Sequence, residues 1–525
     1  MFSRTPSPIG DVDRTIDGLI PGDVDDGFSL GPSLVSTRGS VASTTGFVQP
    51  HPALPVVPDE SKAQVSLLQL LAAHPEGETS ITDAMFEQAG RLAKGDGVRK
   101  DVAAAAHLYE SAAKEGHAAA QHAIGECYQY GTGVTRSART AAHWFSMAAA
   151  NDFVPAQCAL AKCFARGFGV EMDRVAAAHW FMRAAEKNDA DAQYNAAVCY
   201  QNGLGVEPDP VASHRLLRLA ADAGHLDAQY QLGQCYHLGS GVTRDQTLAF
   251  RWFQCAANHR HVSAMRMVGW CYTRGIGVPV DHALAKDYYI AAAHAGDAVS
   301  QYNLAVCFIR GAGVRQDHAS ALTWLGKAAA QDHADAQLAL GIFYERGIGE
   351  TTRDRAATRD AVQAMKWYLA AANNGSLRGM FAAAWRFERG IGCEIDIPRA
   401  VQLYTRAAGG GEPRSQCALG LMFADGRGVA KDERAAARLY AQAANAGLSH
   451  GQFLYALCLE TGVGVDATNE PEAMRLYTLA AEAGHTRAMY ALVTCFQNGF
   501  CTTRDLAKAA HWRRRYENSM VNATS

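Results

Sequence analysis

The sequence predicts an all-α protein, a solenoid of about twelve 36-residue helix-turn-helix repeats. Three observations carry that prediction. Equivalent positions recur along most of the chain at a nearly constant step. A glycine follows the first helical segment of every copy. A helix-capping side chain then precedes every second helical segment.

The copies begin at Ala84, Ala120, Ala156, Ala192, Ala228, Ala264, Ser300, Ala336, Gly379, Ser415, Gly451 and Ala488, and are numbered here 1 to 12 in that order. The step is 36 residues except twice: copy 8 gains seven residues around Glu350–Thr358, and copy 11 gains one near Thr468. The first half of a copy reads like Ala228-Gln229-Tyr230-Gln231-Leu232-Gly233-Gln234-Cys235-Tyr236, with apolar and small residues at helical spacing. Glycine follows in all twelve copies, from Gly95 to Gly499, where it supplies a left-handed helix end at little steric cost. A second glycine stands two residues later in eleven copies, and Cys501 is the exception.

The second helix opens at Asp101, Ser137, Asp173, Asp209, Asp245, Asp281, Asp317, Asp360, Asp396, Asp432, Asn469 and Asp505, each of a type that accepts hydrogen bonds from a helix N-terminus. A small residue, a bulky pair such as Trp252-Phe253 and a pair of alanines such as Ala256-Ala257 follow at helical spacing. Paired alanines let neighbouring helices approach closely, and the aromatic residues fill the space between them. Glycine closes the hairpin in seven copies, at Gly116, Gly224, Gly296, Gly375, Gly411, Gly447 and Gly484.

Outside the copies the composition changes. Residues 1–60 are rich in Ser, Thr, Pro, Gly and Asp, and read as a disordered tail that cannot offset its ordering entropy. Thr5-Pro6 and Ser7-Pro8 within it are candidates for proline-directed phosphorylation. Residues 61–83 read as a short amphipathic helix capping the first repeat. Residues 84–516 form the solenoid, and 517–525 read as a disordered end. Arg513-Arg514-Arg515 supplies a polar cap to the last copy.

Hydrophobic content of 48% over 525 residues suffices for a continuous buried spine. Net charge is −3, from 49 basic and 52 acidic side chains, which offers no electrostatic basis for binding nucleic acid. No apolar run reaches the roughly 18–20 residues of a membrane span, and the first residues lack the apolar core of a secretory signal. These features lead us to expect a cytoplasmic protein, peripheral to a membrane only through a partner.

The pattern A-x-x-x-L-G-x-x-Y-x-x-G-x-G-V…D-x-x-x-A-x-x-W-[YF]-x-x-A-A-x-x-G resembles the Sel-1-like repeat family, relatives of the tetratricopeptide repeats. Copies 5 and 6 match it closely, and the resemblance covers residues 84–516. It implies a right-handed α-α superhelix and a non-catalytic scaffold or adaptor that binds partner proteins along a concave surface. The alternative it offers is a regulatory subunit of a membrane enzyme, similar to chitin-synthase activators. A hydrolase of the kind claimed for secreted relatives is a more distant reading.

Thirteen cysteines suggest disulfides at first sight, but eight share one repeat position: Cys127, Cys163, Cys199, Cys235, Cys271, Cys307, Cys458 and Cys495. Neighbouring helix axes lie about 8–10 Å apart, beyond the roughly 7 Å between α-carbons that a disulfide allows. Buried reduced thiols and a reducing compartment are therefore expected. The Gly-x-Gly turns follow helices, not strands, and lack the lysine of a phosphate loop. Ser111-Ala112-Ala113-Lys114 matches the Ser-x-x-Lys of serine β-lactamases but lies inside a second helix without its companion motifs. His107, His143 and His179 stand one repeat apart, too far to share a zinc ion, and His259-Arg260-His261 sits in a polar loop between repeats. No catalytic residue, cofactor or metal ligand is assigned.

By analogy with tetratricopeptide proteins, the first helix of each hairpin lines the concave side. Its seventh position is polar at Glu126, Lys162 and Gln234, with Val198 between, then apolar in six successive copies: Trp270, Val306, Ile342, Trp385, Leu421 and Leu457. Arginine ends the same helix at Arg274, Arg310, Arg346 and Arg389. Exposed, these side chains form an apolar groove edged by positive charge that suits peptide segments or helices of partner proteins, acidic ones especially. Covered, they are ordinary packing and helix-dipole residues.

Overall fold

The computed structural model describes residues 80–348 and 360–524, and every regular element within them is an α-helix, 24 in all. They pair into twelve hairpins, so the chain is an all-α solenoid of twelve repeats. The tail 1–60, residues 61–79 of the expected capping helix and the insertion around Glu350–Thr358 lie outside the described residues. The first described helix, Ile81–Lys94, begins at a Ser80 cap and is already the first helix of repeat 1. At the other end, Leu506–Thr524 is one helix, which corrects the expected disordered end after residue 516. No glycine or proline interrupts 506–524, so nothing in the backbone stops the helix there.

The turns form for the reasons the sequence suggests. Asp281 accepts from the backbone N–H groups of Ala283 and Leu284 at 2.9 and 3.0 Å, satisfying donors the helix itself leaves unpaired. Gly131 ends its helix at φ 75°, and its N–H donates to Cys127. The second glycine does different work. A Cβ on Gly133 would lie 2.0 Å from the Val102 carbonyl oxygen, so the loop of one repeat rests directly on the second helix of the repeat before it. Where the hairpin does not close on glycine, Asp152, Asn188, Arg260 and Asp332 take the left-handed conformation instead, with φ of 57–61°.

The helices pack through three recurring contacts. The paired alanines, such as Ala292 and Ala293, are fully or almost fully buried and bring the second helix against the next first helix. A large side chain of the second helix fills the hairpin: Phe145, Phe253, Tyr368 and Tyr404 are all fully buried or nearly so. Glycine in the facing first helix makes room for it, since a Cβ on Gly341 would sit 2.5 Å from the Tyr368 ring. Burying each such ring is worth about 1.5–3 kcal/mol.

The third contact is polar. A glutamine one residue after the start of a copy donates its amide to the carbonyl of the second alanine in the preceding repeat. The distances are 3.1 Å for Gln121 to Ala113, 3.2 Å for Gln229 to Ala221, 3.1 Å for Gln301 to Ala293 and 3.1 Å for Gln337 to Ala329. Methionine replaces it at Met265, Met380 and Met489, which are also buried.

The repeats fall into two compact units. One runs through Ala264 and includes Ile276–Val278; the other comprises Met265–Gly275 and everything from Pro279 on. Each has a chain of apolar clusters running from hairpin to hairpin, such as that of Ala141, Phe145 and Leu160 in the first unit and that of Leu325, Leu340 and Phe343 in the second.

Candidate partner-binding surface

The first helices present the seventh positions in register, because each copy starts at the same point of its helix. In the second unit the apolar run is not one open stripe. Leu457 is 41% exposed, and Trp270, Val306 and Leu421 are half-buried, but Ile342 and Trp385 are only 8% and 7% exposed. The two central members are thus packed, which corrects the expectation of a continuous apolar groove. The neighbours of Trp385 explain its burial. The Arg389 guanidinium lies 4.4 Å from its ring centroid, and that of Arg386 lies 5.7 Å away.

Arg386 itself is 2% exposed and pairs with Glu345 at 2.6 Å while stacking 4.3 Å from the Tyr368 ring. Tyr368 in turn donates to Glu345 at 2.7 Å. A buried charge is tolerated only when paired and hydrogen-bonded in this way, and the node locks repeats 8 and 9 together. The four arginines of the expected edge lie in the last turns of their helices, where they complement the dipole. Arg310 is exposed; Arg274, Arg346 and Arg389 are half-buried.

The first unit holds a groove that sequence reasoning missed. It encloses about 720 Å³ between the first helices of repeats 2 and 3, Ala118–Tyr130 and Val154–Arg166. Glu126 and Lys162, the seventh-position residues there, both line it. Phe145, Ala159, Cys163 and Phe168 supply apolar walls, while Arg136, Lys162 and Arg166 are exposed cations at its rim. Glu126 is the single carboxylate among the lining residues, and it faces His122 at 3.8 Å. Burial holds the His122 imidazole below its usual range against the opposing pull of Glu126, so it lines the groove as a neutral ring near pH 7. The seventh position is polar here, outside the apolar run that defined the expected groove. The available signal was Lys162 and Arg166, four residues apart and therefore on one helix face.

The other candidate chemistries resolve into structure. The Ser111 hydroxyl donates to the His107 carbonyl of its own helix at 2.9 Å. His107, His143 and His179 are exposed on second helices. His261 is no loose polar side chain: its Nδ1 accepts from the Ala264 N–H at 3.1 Å, and its Nε2 meets Asp227 at 3.0 Å. His117, His225, His333 and His485 cap their first helices through Nδ1 in the same way.

The model of the Sel1 repeat matches twelve times in succession, from residues 82–117 through 486–514 without a gap. The chain belongs to the Sel1 repeat family. Two solved structures are similar to it. One is c5321, a protective antigen of uropathogenic Escherichia coli strains with the same fold; it is 28% identical, with a TM-score of 0.62, over 79% of this chain and 90% of its own. The other is a Sel1 repeat protein from Oxalobacter formigenes, 26% identical with a TM-score of 0.50, over 67% of this chain and 99% of its own. No curated protein sequence matches the chain significantly.

Within these Sel1 repeats the recurring cysteine packs as a small apolar side chain. Cys163, Cys199, Cys235, Cys271, Cys307, Cys458 and Cys495 are buried free thiols, while Cys127, also expected to be buried, is half-buried. Burial pushes the Cys271 thiol up to about 12 and the Cys199 thiol up to about 11, so neither is a thiolate at neutral pH. No helix among the described residues is long and apolar enough to cross a membrane.

Proposed function

We propose that this Sel1 repeat protein is a non-catalytic scaffold that binds partner proteins on the face made by its first helices, preferring acidic segments. The groove between repeats 2 and 3 carries the reading. It sits on that face, it has apolar walls, and three exposed cations stand at its rim against one carboxylate. Apolar walls supply affinity on desolvation, while rim cations select acidic sequences and speed encounter. Within the second unit, Trp270, Val306, Leu421 and Leu457, with Arg274, Arg310, Arg346 and Arg389, offer a separate surface of the same kind on its own first helices. Ile342 and Trp385 serve there as packed supports.

A photo-cross-linking residue placed at Lys162 or Arg310 should capture partners in cells, whereas the same residue at Val211, exposed on a second helix, should not. Reversing Lys162 and Arg166 to glutamate should remove the first capture and leave the helical circular dichroism unchanged. Equal capture from Val211, or capture that survives the double reversal in a folded protein, would refute the assignment of the binding face.

A further inference from the structure

We propose a zinc site at Glu460, Cys495 and Cys501, the last of which breaks a glycine pattern that the other eleven repeats keep. One donor atom from each lies within 4.8 Å of the other two. Glu460 is near the end of the first helix of repeat 11, Cys495 is buried in the first helix of repeat 12, and Cys501 is in the loop that follows.

The surrounding repeats show what stands at the equivalent positions. Three repeats place glutamate at the tenth position of the first helix, Glu345, Glu388 and Glu460, and each accepts a hydrogen bond from a buried tyrosine of its own hairpin at 2.6–3.0 Å. In two of them the other carboxylate oxygen is neutralised by an arginine of the next repeat: Arg386 on Glu345 and Arg427 on Glu388, both at 2.6 Å. Among the described residues no arginine pairs with Glu460. Cys495 occupies in repeat 12 the position that Arg386 occupies in repeat 9, and Phe500 stands where repeat 10 has Arg427. Glu460 therefore meets two thiols where its counterparts meet a cation. A divalent ion restores the missing positive charge.

Cys501 adds a second, independent departure. Its position is glycine in the other eleven repeats; in repeat 11 a Cβ on that glycine, Gly464, would lie 2.0 Å from the Glu433 carbonyl oxygen of the preceding repeat. Cysteine holds the left-handed backbone there, at φ 57°. Its side chain is the one that completes the donor set.

Two thiolates and a carboxylate suit zinc, with Zn–S bonds of about 2.3 Å and a water in the fourth tetrahedral position. Binding releases one proton from each thiol, so affinity falls as pH falls. The hydrogen bond from Tyr477 to Glu460, at 2.6 Å, orients the carboxylate. An ion held there ties the last loop to repeat 11.

The test uses the full chain, stripped of metal by chelation and kept reduced, with zinc titrated against a chromophoric chelator and cobalt as a spectroscopic probe. The native chain should take up one more equivalent of zinc than Cys501→Gly, and its cobalt form should show thiolate-to-cobalt charge-transfer absorption that the variant lacks. Cys501→Gly restores the residue the other repeats use, so its circular dichroism should remain native. Cys495→Ser should lose the same equivalent. Tyr477→Phe should keep it with affinity reduced about 10–100-fold. Equal zinc uptake by the native chain and Cys501→Gly, cobalt spectra without the thiolate band, or recovery of Cys495 and Cys501 as a disulfide under reducing conditions would each overturn the site.

Discussion

At the residue scale, the contact between consecutive repeats turns on one buried amide. Gln301 donates to the Ala293 carbonyl at 3.1 Å, and its own oxygen accepts from Gln331 at 2.9 Å, so both ends of the side chain are used. Gln301→Ala removes both bonds and leaves polar atoms stranded, and should cost about 1–3 kcal/mol in chemical denaturation. Gln301→Met should cost less, because methionine fills this place in repeats 6, 9 and 12. The histidine caps add a dependence on acidity. His333 accepts from the Ala336 N–H through Nδ1, a role that protonation abolishes. Burial pulls its pKa below the ordinary value, against the opposing effect of Asp335 and Asp297. The unfolded chain therefore binds the proton more readily than the folded one. The stability His333 contributes is full above the ordinary histidine pKa of about 6.5 and declines as pH falls through it toward the folded value. His333→Asn keeps a cap without the titration, so thermal melts between pH 7.5 and 5.5 should show a smaller shift in the variant than in the native chain.

At the element scale, the hairpin depends on where glycine stands in a helix. Gly341 faces the Tyr368 ring, 2.5 Å from where a Cβ would be, so Gly341→Ala forces the tyrosine aside and should cost about 1–3 kcal/mol. Gly326 is also inside a helix, His318–Ala329, but a Cβ there meets nothing within 4 Å. Gly326→Ala should therefore stabilise the protein by about 0.5–1 kcal/mol through helix propensity alone. Denaturant midpoints moving in opposite directions for the two variants would support this division. The facing helix is the physical reason one glycine is required and the other replaceable.

At the scale of the whole molecule, each repeat packs mainly on its neighbours, so the position of a defect matters as much as its chemistry. Asp281 and Asp505 cap second helices through matching bonds, to Ala283 and Leu284 in one case and Ala507 and Lys508 in the other. Asp281→Ala should lower stability by about 0.5–2 kcal/mol across the repeats around it. Asp505→Ala should fray the last helix and leave the interior protected. Hydrogen exchange reads the two patterns directly, and equal spread from both sites would contradict the nearest-neighbour account.

The repeat step, the glycine helix ends and all twelve second-helix caps were legible in the sequence, because capping, left-handed turns and helical periodicity are local properties that recur with the copies. The buried thiols were legible for the same reason, since one position repeated at helix spacing cannot bring its members together. The candidate surface was legible only in part. Whether Trp385 is exposed depends on Arg389 lying over its ring, and whether Lys162 edges a groove depends on the spacing of two first helices. The convergence of Glu460, Cys495 and Cys501 spans two repeats and a loop. Local rules determine what each hairpin is; what lies between hairpins is set by packing distances that no single copy encodes.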